Sequence, residues 1–192
     1  MRIDRVWAMP SSATFTIKPI GDLIREEMAG GVWIDPCCGT NSPAAIRNDL
    51  NPNVEAEHHV EALAFLKQFA DSSVDGVLFD PPYSPRQVAE CYKQFGLSTM
   101  RGELTKATFW SDQKDEIARI VKPEGKVICC GWNSMGIGIN RGFLMTRVLL
   151  VPHGGNHNDT IVTVETKVQW KFDPMASLPP TLAEAVKRMF ND

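Results

Sequence analysis

Several features of membrane-bound, secreted and metal-binding proteins are absent from this chain. No apolar run approaches the roughly 20 residues that a membrane span requires, and residues 1–5 open the sequence without the apolar core of a signal peptide. Cysteines are five, an odd number, and two pairs are sequence neighbours, Cys37 with Cys38 and Cys129 with Cys130, which disfavours a disulfide framework. They also lack the CxxC spacing of a zinc site. We therefore expect a cytoplasmic protein that holds no metal and does not enter a membrane.

A strong positive charge is also missing, because the 192 residues carry a net charge of −3. This argues against tight, unspecific binding to nucleic acid, which relies on a basic surface. Residues 84–114 are a local exception with five basic and three acidic side chains, which form either a binding surface or a solvated helical face. The length suits a single domain, and we assign residues 1–192 to one.

Strand-like and helix-like stretches alternate along the chain, which predicts an α/β fold with a mostly parallel sheet. Helices are predicted over residues 19–29, 42–47, 63–69, 112–121 and 181–190. Strands are predicted over residues 32–34, near Asp49, and over residues 58–60, 74–79 and 126–130. Residues 143–151 and 160–167 are predicted to pair as a C-terminal β-hairpin.

The tetrapeptide Asp80, Pro81, Pro82 and Tyr83 directly follows the predicted strand over residues 74–79. Proline cannot donate to a sheet, so the pair ends the strand and stiffens the turn. The acid and the first carbonyl are acceptors and the aromatic ring offers a stacking face, which together suit the exocyclic amino group of a nucleobase. The same residues also suit an ordinary turn with a packing tyrosine.

Three further acids, Asp35, Asp49 and Glu61, also stand at the ends of predicted strands. Ligands of open α/β sheets bind beyond the carboxyl ends of the strands, so we expect these acids and Asp80 to surround one site. An acid in that place can bind ribose hydroxyls, an adenine amino group or a cationic amine. Gly39 lies in the turn after the first of these strands, where glycine can reach a positive φ.

This succession of motifs resembles the DNA amino-methyltransferases, which methylate adenine at N6 or cytosine at N4 with S-adenosyl-L-methionine (AdoMet). The resemblance covers about residues 15–167 and includes small phage and prophage members. It implies a Rossmann-like class I methyltransferase fold, with a mostly parallel seven-stranded sheet and helices on both faces. Asp rather than Ser at position 80 implies adenine as the target. The family's second loop glycine is replaced by Asn41, a residue type that tolerates left-handed backbone.

The resemblance also implies which residues form the site. Asp80, Pro81, Pro82 and Tyr83 match the catalytic motif, in which the acid and the proline carbonyl hold the amino group and the tyrosine stacks on an extruded adenine. The implied AdoMet-binding residues are Phe15, Thr16, Lys18, Asp35, Cys37, Gly39, Asp49, Glu61 and Asp80. Of these, Asp49 occupies the place of the acid that holds ribose hydroxyls, and Glu61 fits the position near the cofactor's adenine.

The chain has no room for a separate target-recognition domain, so we expect low or short sequence specificity. The candidate DNA-contacting loops are residues 84–111 and 132–142. Candidate nucleic-acid-binding residues are Arg86, Lys93, Arg101, Trp132 and Asn133. Arg86 and Lys93 either contact phosphate or are solvated, and Trp132 either walls the base pocket or belongs to the core.

Three other functions compete with this interpretation. RNA adenine or guanine amino-methyltransferases have similar motifs, and a net acidic protein can act on a structured RNA. An inactive, nucleic-acid-binding subunit with the same fold is a second possibility, although such subunits commonly lose the tetrapeptide. A nicotinamide-dependent oxidoreductase is disfavoured because no GxGxxG follows the first predicted strand.

Overall fold

Seven strands form one sheet within the residues that the computed structural model describes, which are 1–96 and 109–168. The strands are β1 (Arg2–Arg5), β2 (Trp33–Asp35), β3 (Ile46–Arg47), β4 (Val74–Phe79), β5 (Val121–Gly131), β6 (Phe143–Val151) and β7 (Thr160–Lys167). The helices are α1 (Lys18–Glu27), α2 (Ala62–Leu66), α3 (Pro85–Gln94) and α4 (Ser111–Ile120), and 3₁₀ turns span Thr14–Thr16 and Ile139–Arg141. Among these described helices, none has the length and apolarity that crossing a membrane requires.

The strand order across the sheet is β1–β6–β7–β5–β4–β2–β3. Strands β3, β2, β4 and β5 run parallel to one another, and β1 runs parallel to β6. Strand β7 lies between β5 and β6 and is antiparallel to both. The predicted mostly parallel sheet and the predicted C-terminal hairpin are thus confirmed. Because β2, β3 and β4 end at the same edge, the turns that follow them lie together.

Helices cover both faces of the sheet, as predicted. Strand β4 shows the reason, since its residues are almost all buried and successive side chains point to opposite faces. Leu78 packs in a cluster with Ile24 of α1. Val77 packs in a second cluster, with Phe65 of α2 and Ile117 of α4. Val77, Leu78 and Phe79 form an apolar run that is buried on both faces of the sheet, and the predicted bounds of β4 are confirmed.

Two of the predicted elements are corrected. A helix over residues 42–47 is wrong, because the Ser42 hydroxyl donates to the buried Asp35 carboxylate at 2.7 Å and residues Ile46–Arg47 form β3. A strand over residues 58–60 is also wrong, since His58 alone makes a single bridge, with Asn48. The remaining strand of the sheet is β1, a mostly exposed edge strand without an apolar pattern.

Residues 84–111 are not a loop throughout, because Pro85–Gln94 form α3. The helix begins with a capping box: the Ser84 hydroxyl accepts from the Gln87 N–H at 3.2 Å, and the Gln87 side chain accepts from the Ser84 N–H at 3.0 Å. The candidate DNA contact Arg101 and the predicted helix over residues 181–190 lie outside the described residues.

Candidate active site

A cavity of about 430 Å³ opens at the carboxyl edge of β2, β3 and β4. We call it the large cavity. Its walls come from the segment before α1, the turns after β2 and β3, the start of α2, the tetrapeptide after β4, α3 and the start of α4. The lining residues include Thr14, Phe15, Cys37, Gly39, Asp49, Ala62, Asp80, Pro81, Pro82, Tyr83, Gln87, Tyr92 and Trp110. The cavity therefore lies where open α/β sheets bind ligands.

Asp35 lies beneath the turn after β2 and supports it. Its carboxylate is fully buried and accepts from the Ser42 hydroxyl at 2.7 Å and from the Cys37 N–H at 3.0 Å. Burial, helped by the negative charges of Asp80 and Asp49 and opposed by the two hydrogen bonds, raises the pKa of Asp35 to about 7. Asp35 thus holds the loop from below, whereas the sequence predicted it among the AdoMet-binding residues.

Asp49 and the loop glycine are joined directly. The Gly39 N–H donates to the Asp49 carboxylate at 2.9 Å, and the Asn51 N–H donates to its other oxygen at 2.8 Å. Gly39 and Asn41 both have positive φ, +50° and +69°. The expectation that Asn41 would accept left-handed backbone is confirmed, and the loop forms without a second glycine.

Glu61 caps α2 and links it to α3. One carboxylate oxygen accepts from the Leu63 N–H at 2.7 Å and the Ala64 N–H at 3.2 Å, and the other accepts from the Tyr92 hydroxyl at 3.0 Å. Tyr92 lines the large cavity. The sequence analysis did not predict this cap, although an acid before an apolar helical run is a recognisable signal for one.

The segment before α1 contributes Phe15 and Thr14 to the large cavity. Thr16 and Lys18, predicted as cofactor contacts with Phe15, have local partners instead. The Thr16 hydroxyl donates to the Ala13 carbonyl at 2.7 Å. Lys18 is exposed and its Nζ donates to Asp22 at 2.7 Å. These two side chains therefore shape the start of α1 and lie outside the cavity wall.

Asp80 and Tyr83 are hydrogen-bonded to each other, with the Tyr83 hydroxyl donating to the Asp80 carboxylate. Burial raises the pKa of Asp80 above its ordinary value, and hydrogen bonds from the Tyr83 and Thr14 hydroxyls partly oppose that rise. Burial and the Asp80 charge likewise raise the pKa of Tyr83. The turn is further held by Gln87, whose side-chain oxygen accepts from the Tyr83 N–H at 2.9 Å.

A second cavity of about 80 Å³ lies against the same tetrapeptide, and we call it the small cavity. Pro81, Pro82 and Tyr83 line both cavities. The small cavity is completed by α4, β5 and the loop after β5, with lining residues that include Trp110, Lys114, Cys129, Trp132, Asn133 and Gly136. The Trp132 ring stands edge-on to Tyr83, with 5.7 Å between ring centroids. It is 40% exposed, so Trp132 is a cavity wall and not a core residue.

The other candidate nucleic-acid contacts lie on the surface. Arg86 is exposed on α3 and pairs with Glu90 at 2.8 Å. Lys93 is exposed in the last turn of the same helix. Asn133 is exposed beside Trp132, and its side chain accepts from the Met135 N–H at 3.0 Å. Within residues 1–96 and 109–168, no three His, Cys, Asp or Glu side chains are grouped as a metal site.

Comparison with known proteins defines the fold. No protein-family model and no curated protein matches the chain. Among solved structures, TrmN from Thermus thermophilus superposes with a TM-score of 0.51 and 16% identity over 79% of this chain and 49% of TrmN. The N-methyltransferase NodS from Bradyrhizobium japonicum superposes with a TM-score of 0.50 and 10% identity over 79% of this chain and 96% of NodS. The chain thus spans about half the length of TrmN (49%) and has the Rossmann-like fold of class I methyltransferases.

Proposed function

We propose that this protein transfers a methyl group from AdoMet to the exocyclic N6 amino group of adenine in DNA. The observation that carries the proposal is the position of the tetrapeptide. Asp80 lines the large cavity, and Pro81, Pro82 and Tyr83 are shared by the large and small cavities. A transferase needs two binding spaces that meet at the reacting atoms, and the carboxylate of Asp80 directly precedes the residues of this shared wall.

The walls of the large cavity fit AdoMet chemically. The Asp49 carboxylate, already fixed by two N–H donors, keeps further lone pairs for the hydroxyls of a ribose. A Cβ placed on Gly39 would meet nothing within 4 Å, so the loop leaves open space beside this acid. Phe15, Cys37 and Ala62 add apolar surface. AdoMet would supply the methyl group from its sulfonium: as the N–CH3 bond forms, the S–CH3 bond breaks and the sulfur departs as the neutral thioether of S-adenosylhomocysteine, while the nitrogen gives up one proton to solvent. No covalent intermediate with the protein would be needed.

Asp80 and the Pro81 carbonyl act on the amino group of the acceptor. Each would accept one N–H, which draws the nitrogen lone pair out of conjugation with the ring and aims it at the methyl group. A hydrogen bond to a charged acceptor contributes roughly 1.5–3 kcal/mol, and more where water is excluded. Asp80 must be ionised for this role, so the pKa that burial raises sets the acid limit of activity.

Tyr83 has two tasks in this scheme. Its ring would stack on the extruded base and contribute about 1–3 kcal/mol, against the cost of a few kcal/mol for unstacking. Its hydroxyl donates to the Asp80 carboxylate, and the amino group of the incoming base must displace it. The Tyr83 hydroxyl therefore keeps the carboxylate hydrogen-bonded until the base binds.

The DNA side of the proposal rests on the rim of the small cavity and on the exposed face of α3. Trp132 and Asn133 lie at its rim, and Arg86 and Lys93 on α3 offer positive charge for phosphate. We propose residues 1–192 as one domain, with short or low sequence specificity. We propose adenine and not cytosine as the target because the tetrapeptide begins with Asp80, which the resemblance to the DNA amino-methyltransferases associates with adenine.

Expression in a methylation-deficient bacterium, followed by modification-aware sequencing, tests the substrate. N6-methyladenine in a short or degenerate DNA context is the expected result. Methyl transfer from labelled AdoMet to RNA but not to DNA would replace the substrate with RNA, the first alternative function. Nucleic-acid binding without any methyl transfer by the purified protein would instead support an inactive subunit.

A further inference from the structure

One wall of the small cavity is the loop that follows β5. Trp132, Asn133 and Gly136 of this loop line the cavity. Both Trp132 and Asn133 are exposed, so burial in the core does not fix them. Their position depends on how the loop is attached to the sheet.

Glu165 of β7 makes that attachment. Its side chain is buried, with 1% exposed, and its two oxygens accept from the N–H groups of Ile137 at 2.5 Å and Gly138 at 3.0 Å. Burial raises the pKa of Glu165, while these two N–H donors and the positive charge of Lys114 oppose the rise. A buried carboxylate is costly unless such donors satisfy it. Its donors here are the backbone of the cavity loop.

Gly136 allows the loop to approach this carboxylate. A Cβ at Gly136 would lie 2.2 Å from Oε2 of Glu165, and the residue has a φ of +54°. Both the close approach and the left-handed backbone require glycine. Gly136 and Glu165 therefore form one contact, built from the loop on one side and from β7 on the other.

We propose that Glu165 is a positioning residue for the acceptor substrate, because it clamps the loop that carries Trp132 and Asn133. The inference rests on the proposed function in taking the small cavity as the acceptor side. Trp132 packs against Tyr83 at 5.7 Å, so the clamp also supports the far side of the tetrapeptide. Lys114 of α4 lines the same cavity and is the charged group that faces Glu165.

Two substitutions attack the contact from opposite sides. Glu165→Gln keeps one carbonyl acceptor but turns an amino group toward the second backbone N–H. Gly136→Ala introduces the colliding Cβ. The matched control is Gly155→Ala, which has a similar φ of +59° but meets nothing within 4 Å. It separates the collision with Glu165 from the backbone strain that alanine suffers in both places.

The hydrogen-exchange rates of the Ile137 and Gly138 amides measure the strength of their hydrogen bonds to Glu165 directly. We expect roughly tenfold faster exchange in Glu165→Gln and in Gly136→Ala, equivalent to one hydrogen bond to a charged group, and no change in Gly155→Ala. Fluorescence anisotropy with a single-stranded DNA oligonucleotide that contains one adenine should show about tenfold weaker binding in the same two variants. The Kd of AdoMet should stay unchanged. The double variant should be no worse than the worse single one, because both changes break one contact.

Three results would overturn the inference. The first is faster exchange with an unchanged oligonucleotide Kd, which would make Glu165 structural only. The second is an equal loss of AdoMet affinity, and the third is additive effects in the double variant. If Glu165→Gln does not fold, Gly136→Ala alone decides. A wild-type protein that binds neither DNA nor RNA oligonucleotides defeats the proposed function and this inference with it, whereas unchanged variants of a DNA-binding wild type defeat the inference alone.

Discussion

Replacing Tyr83 by phenylalanine separates the two tasks assigned to this side chain. The variant keeps the ring that stands 5.7 Å from Trp132 and loses the hydroxyl that donates to Asp80. In the wild type, the amino group of the base must displace that hydroxyl from Asp80. The hydrogen bond that the hydroxyl loses, roughly 1.5–3 kcal/mol, offsets the hydrogen bond that the amino group gains. Well above the pKa of Asp80, we therefore expect Tyr83→Phe to match the wild-type kcat/KM, because the displaced hydroxyl regains a partner in water, or to exceed it by up to about 150-fold.

The same substitution has a second consequence at lower pH. The Tyr83 hydroxyl lowers the pKa of Asp80 against the effect of burial, so its removal lets that pKa rise further. Asp80 must be ionised to accept the amino hydrogens, and activity is lost as the pH falls through its pKa. The acid limb of the kcat/KM profile should therefore move to higher pH in Tyr83→Phe.

The pH profiles of wild type, Tyr83→Phe and Tyr83→Ala, measured by methyl incorporation from labelled AdoMet, test both consequences. Tyr83→Ala also lacks the hydroxyl and should share the shifted acid limb, but it loses the stacking ring and should fall about 5- to 150-fold below Tyr83→Phe at every pH, which corresponds to about 1–3 kcal/mol. The reasoning is refuted if Tyr83→Phe is as damaged as Tyr83→Ala at high pH, because the hydroxyl would then be needed for the reaction itself.

Three further predictions concern stability and cofactor binding. The folded-state pKa of Asp35 is raised from 3.8 to about 7, so its contribution to the free energy of unfolding is full below pH 3.8 and is lost as the pH rises through 7. Asp35→Asn should make the free energy of unfolding, measured in urea, depend less on pH over this range. An unchanged dependence would show that Asp35 is not the group responsible. Asp49→Asn should weaken AdoMet binding about tenfold in calorimetry, since ribose hydroxyls lose a charged acceptor; an unchanged Kd would remove Asp49 from the site. Arg147 is buried and bonded to the three carboxylates of Asp4, Glu26 and Glu27. Arg147→Met should therefore lower the free energy of unfolding, because these carboxylates lose their shared cation, and an unchanged value would show that the pairs are effectively solvated.

The sequence predicts most of the fold because its signals are local. The apolar run of residues 77–79 is buried on both faces and ends the predicted strand over residues 74–79, which matches β4. The turn at Asn41 follows from the conformational tolerance of asparagine. The predicted helix over residues 42–47 is wrong because Ser before Pro usually caps a helix, whereas the Ser42 hydroxyl here donates to Asp35, a carboxylate that only the fold brings near. Strand β1 has no apolar alternation since it is an exposed edge.

The candidate site is only partly predictable for the same reason. The tetrapeptide and the acids at the strand ends stand beside recognisable strands, and Asp49, Gly39 and Asp80 do line one cavity. The small cavity depends on α4, the loop after β5 and β7, which are distant in sequence. Lys114 and Glu165 therefore have no local signal, and their relation to the loop is visible only in three dimensions.

Asp80→Asn tests the central claim most directly, because it preserves the size of the side chain and removes the charge that accepts the amino hydrogens. The matched control is Asp159→Asn, at an exposed site in the β6–β7 hairpin. Methyl incorporation and AdoMet affinity are measured on both variants. The account predicts loss of methyl transfer by at least about a hundredfold in Asp80→Asn, with AdoMet affinity near the wild-type value and a fully active control. Wild-type methyl transfer by Asp80→Asn would contradict it.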